Sequence, residues 1–291
     1  MDQFEFQNQK VVLKKLVYEN VEELFEWAKV EGWNPGINDA FVAFNAFPND
    51  FIGYFIDDEM IAAGSIVNYG GEFGFMGLFI VKKEYRFNGL GNLLWHQRKS
   101  LLYSKLNQGA SIGMDGVQSM QPFYSKGGFQ KLFTDERHSL IGERFSFSKF
   151  VERYDDQYFD QLFRYDTLSF GFNRKTFLSY WLKNPSAKSF VFVDEDNLKG
   201  YAVIRQTVDG YKIGPLFAES KTIASELFKA CLTEVEGQNV SIDIPTINAS
   251  AKQLLEEFNS EIVFECARMY YPKVPKCSFH TVFGITTLEF G

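Results

Sequence analysis

Apolar positions along this chain switch between helical spacing and short extended runs. Val21–Val30 and Ala40–Phe47 read as helices, and Phe51–Ile56 and Met60–Asn68 as strands around the turn Asp57-Asp58-Glu59. Gly74–Val81 reads as a further buried strand. Gly89–Leu106 is a long helix with Leu90, Leu93, Leu94, Leu101 and Leu102 on its apolar face, and Ser111–Val117 is another strand. Pro122–Lys126 is helical until Gly127-Gly128 stops it, and Phe129–Phe133 resumes an extended course. Alternation of this kind predicts an α/β fold, a mixed sheet with helices on its faces.

The second half repeats the order. Phe159–Leu168 and Arg174–Leu182 read as helices, Phe190–Val193, Gly200–Val208 and Tyr211–Phe217 as strands. Ile223–Val235 is helical, Val240–Ile244 extended, Ala249–Phe258 helical, and the Phe-rich tail Phe279–Phe290 reads as a last strand pairing into a sheet. Phe75-Met-Gly-Leu-Phe-Ile parallels Lys212-Ile-Gly-Pro-Leu-Phe, and Ile112-Gly-Met-Asp115 parallels Val240-Ser-Ile-Asp243, which points to a duplicated fold. At 291 residues two domains are expected, 1–148 and 149–291, with the seam in the polar stretch Arg144–Asp156.

Composition narrows the class. Apolar residues make up 45% of the chain, ample for two cores, and no run approaches a membrane span. The start, Met1-Asp-Gln-Phe-Glu-Phe-Gln, lacks the basic and apolar segments of a secretory signal, so a cytoplasmic location is expected. A net charge of −7 argues against a nucleic-acid partner and suits a cationic one. Cys231, Cys266 and Cys277 are widely spaced and odd in number, which argues for buried thiols. His96, His138 and His280 have no metal-ligand spacing, and no metal is expected.

The stretch Ile80-Val-Lys-Lys-Glu-Tyr-Arg86-Phe-Asn-Gly89-Leu-Gly91 carries the chemistry. A strand, a turn holding Arg86, Gly89 and Gly91, and a helix start together aim backbone N–H groups and the positive end of a helix dipole at one spot, a place to hold phosphate. It is neither a dinucleotide fingerprint, since Leu94 stands where a third glycine belongs, nor a P-loop. The equivalent turn of the second half, Ala218-Glu-Ser-Lys-Thr-Ile, has no glycine and sets Glu219 where a phosphate would lie, so the first half is the candidate.

Arg86-x-x-Gly-x-Gly91 resembles the acyl-CoA pyrophosphate loop of the GNAT acetyltransferases, and Tyr124-x-x-x-Gly128-Phe129 resembles a second signature of that superfamily. With Trp27-Ala-x-x-Glu-Gly-Trp-Asn-Pro-Gly-x-x-Asp39-Ala40, Gly113-Met-Asp-Gly-Val117, Gly214-Pro-Leu-Phe-Ala218, Asp243-x-Pro245, Arg268-Met-Tyr270 and Phe283-Gly-Ile-Thr-Thr-Leu-Glu-Phe-Gly291, the chain is similar to tandem GNAT N-acetyltransferases of the YitH/HolE type over nearly its whole length. The resemblance implies two tandem GNAT-like domains, each a mixed, centrally splayed sheet flanked by helices. It implies acetyl transfer from acetyl-CoA to an amine, by direct attack, in the first domain. The second domain is then degenerate and completes the acceptor site.

By that resemblance, amides of Phe79, Ile80 and Val81 face the thioester, while Arg86 and the amides of Phe87, Asn88, Gly89, Leu90, Gly91 and Asn92 cradle the pyrophosphate. Phe87 stands where relatives often carry glycine. Tyr124 would protonate the departing thiolate, although the asparagine common seven residues earlier is Val117 here. The attacking amine must be neutral, and Asp115 is the leading base, with Glu31 and Asp39 as alternatives. Glu31, Trp33, Asn34 and Asp39 form the expected acceptor wall, an indole and carboxylates suited to an organic cation, although Asp39 also reads as a helix cap. The acceptor is a small-molecule or protein amine. A non-catalytic acyl-CoA-binding sensor or interaction protein is the alternative reading.

Overall fold

The computed structural model describes residues 3–291. The helices α1 (Tyr18–Val30), α2 (Asp39–Ala46), α3 (Leu90–Ser104) and α4 (Gln121–Lys126) belong to the first half. The second contributes α5 (Phe159–Phe170), α6 (Lys175–Leu182), α7 (Lys221–Thr233) and α8 (Ala249–Glu256). In α1 the buried residues Val21, Leu24, Phe25 and Ala28 lie three or four apart and form one stripe toward the core.

The strands are β1 (Gln3–Phe6), β2 (Gln9–Lys15), β3 (Phe51–Ile56), β4 (Glu59–Ser65), β5 (Val67–Tyr69), β6 (Phe73–Phe75), β7 (Ile80–Val81) and β8 (Ser111–Val117). They continue with β9 (Gln130–Ile141), β10 (Val151–Arg153), β11 (Ala187–Asp194), β12 (Asn197–Gln206), β13 (Tyr211–Ala218), β14 (Asn239–Pro245), β15 (Glu261–Tyr271) and β16 (Val282–Gly284). One sheet runs β1-β2-β3-β4-β7. The other runs β10-β11-β12-β13-β14-β9-β15-β8-β6-β5, with β16 added on β13. Parallel pairs (β6 with β8, β13 with β14) sit among antiparallel ones, as a mixed α/β fold requires. Among the described residues no helix is long and apolar enough to cross a membrane.

Three expected elements differ. Met60–Asn68 is not one strand: the chain leaves the first sheet after Ser65, and β5 turns through Gly70-Gly71 into β6. Asp50 anchors that step, its carbonyl accepting from Ile66 N–H and its carboxylate from Asn68 N–H. Gly74–Val81 is likewise split. β6 pairs with β8, β7 pairs with β4, and residues 76–79 between them belong to neither sheet. Leu78 there holds a φ of 49°, a region costly for a branched side chain. Finally, only Val282–Gly284 of the Phe-rich tail is a strand. The rest crosses the interior, where Phe290 packs against Phe25, Phe47, Phe51 and Phe177, and its carbonyl accepts from Tyr69 Oη–H.

The last strands of the two halves are exchanged. β15 lies between β8 and β9, and β9 lies between β15 and β14, so each half completes the other's sheet. Two buried ion pairs mark the exchange. Arg268 on β15 holds Asp115 on β8 through two bonds of 2.6 and 2.9 Å, and Arg137 on β9 holds Asp243 on β14 through 2.7 and 3.0 Å. Asp115 and Asp243 are the two aspartates aligned in the internal repeat. Removing one partner of such a pair costs about 3–5 kcal/mol, because the other charge is left in a dry interior.

Candidate active site

The break between β6 and β7 opens a cleft of about 760 Å³. Its floor is Met76–Val81 on one side and Met114, Asp115 and Val117 of β8 on the other. At one end lies the start of α3. Gly89 is its N-cap with φ 87°, a left-handed geometry that glycine adopts without strain, and no side chain caps the helix. The first intrahelical bond is donated by Leu93 to Gly89 O, so the N–H groups of Leu90, Gly91 and Asn92 precede the helical ladder. Together with the helix dipole they make a site for an anion.

The structure brings together most of the expected residues. Phe79, Ile80, Val81, Arg86, Phe87, Gly89, Gly91 and Asn92 line the cleft, as do Glu31, Trp33, Asp115 and Tyr124. Asn88 and Leu90 do not; Leu90 buries its side chain in the core beneath and offers only its amide. Phe87 projects fully into solvent from a φ of 64°. Arg86 is tied back, donating to Val81 O at 2.7 Å and to Glu31 at 2.6 Å, so these two side chains neutralise each other at the mouth.

Two acceptor residues lie elsewhere. Asn34 pairs with the backbone of Asp209 in both directions, and Asp39 is buried, held by Arg205 at 3.0 Å and by Gly36 N–H at 2.8 Å. Asp39 opens α2, while the N-cap position belongs to Asn38. The Gly-Trp-Asn-Pro-Gly turn therefore fastens the first half to the β12–β13 hairpin, and only Glu31 and Trp33 of that cluster face the cleft.

Asp115 is also committed. Both its oxygens accept from Arg268, and its side chain is almost wholly buried. Burial raises it against the pull of Arg268, and raises the adjacent Asp135 well above the usual carboxylate range, helped by the Asp115 charge. Asp135 meets no N–H or O–H donor, and the Asp115 charge beside it disfavours its ionisation. Asp115, Asp135 and Cys266 bring donor atoms within 4.8 Å of one another, but the Arg268 guanidinium already fills that group. Burial pushes the Cys266 thiol up as well, which keeps it protonated.

Tyr124, on α4, stacks on Trp95 with ring centroids 6.1 Å apart and packs against Gly116. Burial pushes its hydroxyl up to about 12, with the Arg98 charge acting the other way, so it stays a proton donor at neutral pH.

Sequence reasoning missed the far wall, formed by Arg137, Phe264, Cys266, Leu288 and Glu289. Glu289 is buried, accepts from Thr287 Oγ1–H, and is raised by desolvation, against Lys212 and with the Asp39 charge adding to the rise, while Arg137 and Arg205 oppose it. Its backbone crosses the strand break so closely that a Cβ on Gly77 would lie 2.0 Å from Glu289 O. No local pattern announces these residues, since they reach the cleft through the strand exchange and the tail. Arg98 was missed too, although its position, four residues from Leu94 and from Leu102 on the α3 stripe, is a signal.

A sheet parts over a bare helix start, and Tyr124 lines the same cleft. Residues 162–284 match the model of the acetyltransferase (GNAT) domain. The chain is 29% identical over 270 residues to holothin acyltransferase of Pseudoalteromonas sp. (strain SANK 73390), covering 91% of this chain and 90% of that protein. It is 26% identical over 274 residues to the N-acetyltransferase YitH of Bacillus subtilis (strain 168), covering 90% and 92%. A Pyrococcus horikoshii crystal structure superposes with a TM-score of 0.83 at 19% identity, over 100% of this chain and 99% of that one. A tandem GNAT protein from the clavulanic acid biosynthesis pathway gives 0.64 at 12%, over 91% and 99%. The domain match over residues 162–284, with relatives named acyltransferase and N-acetyltransferase along nine-tenths of the chain, supports an acyltransferase.

Proposed function

We propose that the cleft of the first half binds acetyl-CoA and passes its acetyl group to an amine by direct attack. The observation that carries this reading is the uncapped start of α3 opening into the same cleft as the split strand and Tyr124. Amides at the helix start would hold the pyrophosphate, and the backbone of residues 76–79 would face the thioester, which supplies an activated acetyl carbon when bound. Tyr124 donates a proton to the departing sulfur. Glu289 replaces Asp115 as the base, because Asp115 is spent on Arg268 while Glu289 is a buried carboxylate lining the same cleft. Residues 1–148 supply the cofactor end, and residues 149–291 supply much of the acceptor wall through Phe264, Leu288 and Glu289. An acidic protein with Trp33 and Glu289 at the acceptor end suits a cationic amine. Three unpaired cysteines fit the reducing cytoplasm.

Calorimetric titration of the purified chain with acetyl-CoA is expected to give one site per chain. That site should be lost in Gly89→Asp, which adds both a carboxylate and left-handed strain, and kept in Glu219→Lys. A folded wild-type protein that binds no acetyl-CoA would sink the reading.

A further inference from the structure

α3 carries a stripe of buried residues, Leu90, Leu94, Arg98 and Leu102, each four positions from the last. The third is an arginine. Arg98 is 1% exposed, and its guanidinium is accommodated because Gly64 has no side chain: a Cβ there would lie 2.4 Å from Arg98 Cζ. Its Nη2 donates to Ser65 O and Gly77 O, both at 2.6 Å, and so bridges β4 to the break in the next strand. The plane lies 5.1 Å from the centre of the Phe79 ring, and Nε–H has no acceptor.

What Arg98 lacks is a counter-charge. Among the described residues on the cleft wall, Arg86 is paired with Glu31 and Arg137 with Asp243; Arg98 makes no ion pair. The other charged groups nearby do not supply one. Asp115 belongs to Arg268, and Lys99 on the same helix donates to Gly127 O and lies over the Tyr271 ring. Glu289 faces the cleft from the tail among Lys212, Arg137 and Arg205. The titratable group that Arg98 does influence is Tyr124. Burying a cation without a partner costs several kcal/mol, so a site that keeps one has a use for an anion there.

We propose that Arg98 is the electrostatic partner of the leaving thiolate, an unpaired buried cation placed so that the sulfur can carry negative charge before a proton reaches it. The inference rests on the acetyl-CoA reading above. As the amine forms its bond to the carbonyl carbon and the C–S bond breaks, the electron pair of that bond goes to sulfur. Arg98 offsets that charge, the proton of the amine goes to Glu289, and the Tyr124 hydroxyl hydrogen-bonds the thiolate, passing on its proton only as CoA leaves, after which the proton held by Glu289 restores it. The same field acts on product CoA, which binds as the thiolate and releases its thiol proton to the buffer.

The test is proton release on binding, read by calorimetry at pH 7.5 in buffers of different ionisation enthalpy. An ordinary thiol, with a pKa of about 8.5, is only about one-tenth ionised there. Wild-type protein is expected to release close to one proton more with CoA than with desulfo-CoA, which lacks the thiol. Arg98→Met should lose more than half of that difference while binding desulfo-CoA within about threefold of wild type, and Arg98→Lys should retain it. Equal release with CoA and desulfo-CoA in the wild type overturns the proposal without any variant, as does full release in Arg98→Met. Failure of both nucleotides to bind would instead remove the cofactor reading on which the proposal rests.

Discussion

The two halves of this chain diverge at equivalent points, and one gap is open where the other is filled. In the first half the strand after Phe75 turns away from β8, and the cleft opens there with the tail crossing the break at Glu289. In the second, β13 pairs with β14 only over Tyr211–Ile213 before parting from it, and β16 moves into the gap. β16 pairs with Leu216 and Phe217, and Ile285 N–H donates to Asp243 O on the far side. A cavity of about 20 Å³ remains beside it, room for about one water, walled by Phe170, Phe172, Phe217 and Phe279. The helix starts differ in the same sense. Gly89 leaves the first amides of α3 uncapped, whereas Ser220 caps α7 by accepting from Ile223 N–H. In the second half the gap and the helix start are thus both satisfied by the chain itself.

The comparison can be broken from the filled side first. Phe283→Ala in β16 empties part of the plug and should cost about 3–5 kcal/mol of stability by denaturant unfolding. It should add no second acetyl-CoA site, since Ser220 still caps α7; a second site would show that the plug alone closes that half. Asp115→Asn, next in size, should cost about 3 kcal/mol, at the low end for a buried pair because Asp135 can release its proton and take over Arg268. If Asp115→Asn instead kept its stability and lost turnover, the base would be Asp115 after all.

On the open side, Tyr124→Phe should lower kcat about 10²-fold or more with acetyl-CoA affinity unchanged. Normal turnover in that variant would remove the acid from the mechanism. Glu289→Gln should lower kcat/KM about tenfold to a hundredfold. A base must be ionised, and burial raises this one, so wild-type kcat/KM should fall as pH drops through a pKa above the usual carboxylate value of about 4.3. That acid limb should vanish in the glutamine variant. A limb that persisted would move the base elsewhere on the wall.

The helices of both halves, the glycine turn that opens α3 and the place of Tyr124 on α4 were legible because each depends on a local pattern: an apolar stripe, a glycine at a positive φ, a motif a few residues long. Asp39 and Asn34 misled for the opposite reason. A polar residue beside an aromatic turn looks alike whether it faces a ligand or a partner strand, and here Arg205 and the Asp209 backbone had taken them. The expected strand Gly74–Val81 hid its own break, because an apolar run has no mark for where two sheets part. β15 was not announced either, since its neighbours come from the other half.

By itself the sequence determined the α/β class, the duplication, the glycine turn at Gly89 and the acyltransferase resemblance, all of which rest on short local patterns. Tertiary structure decided which carboxylates are locked into ion pairs. Strand exchange pairs Asp115 with Arg268 and Asp243 with Arg137, and the tail carries Glu289 to the cleft from far along the chain. Whether a charge is spent or available depends on which distant residue shares its dry surroundings, and that is a property of the folded chain alone.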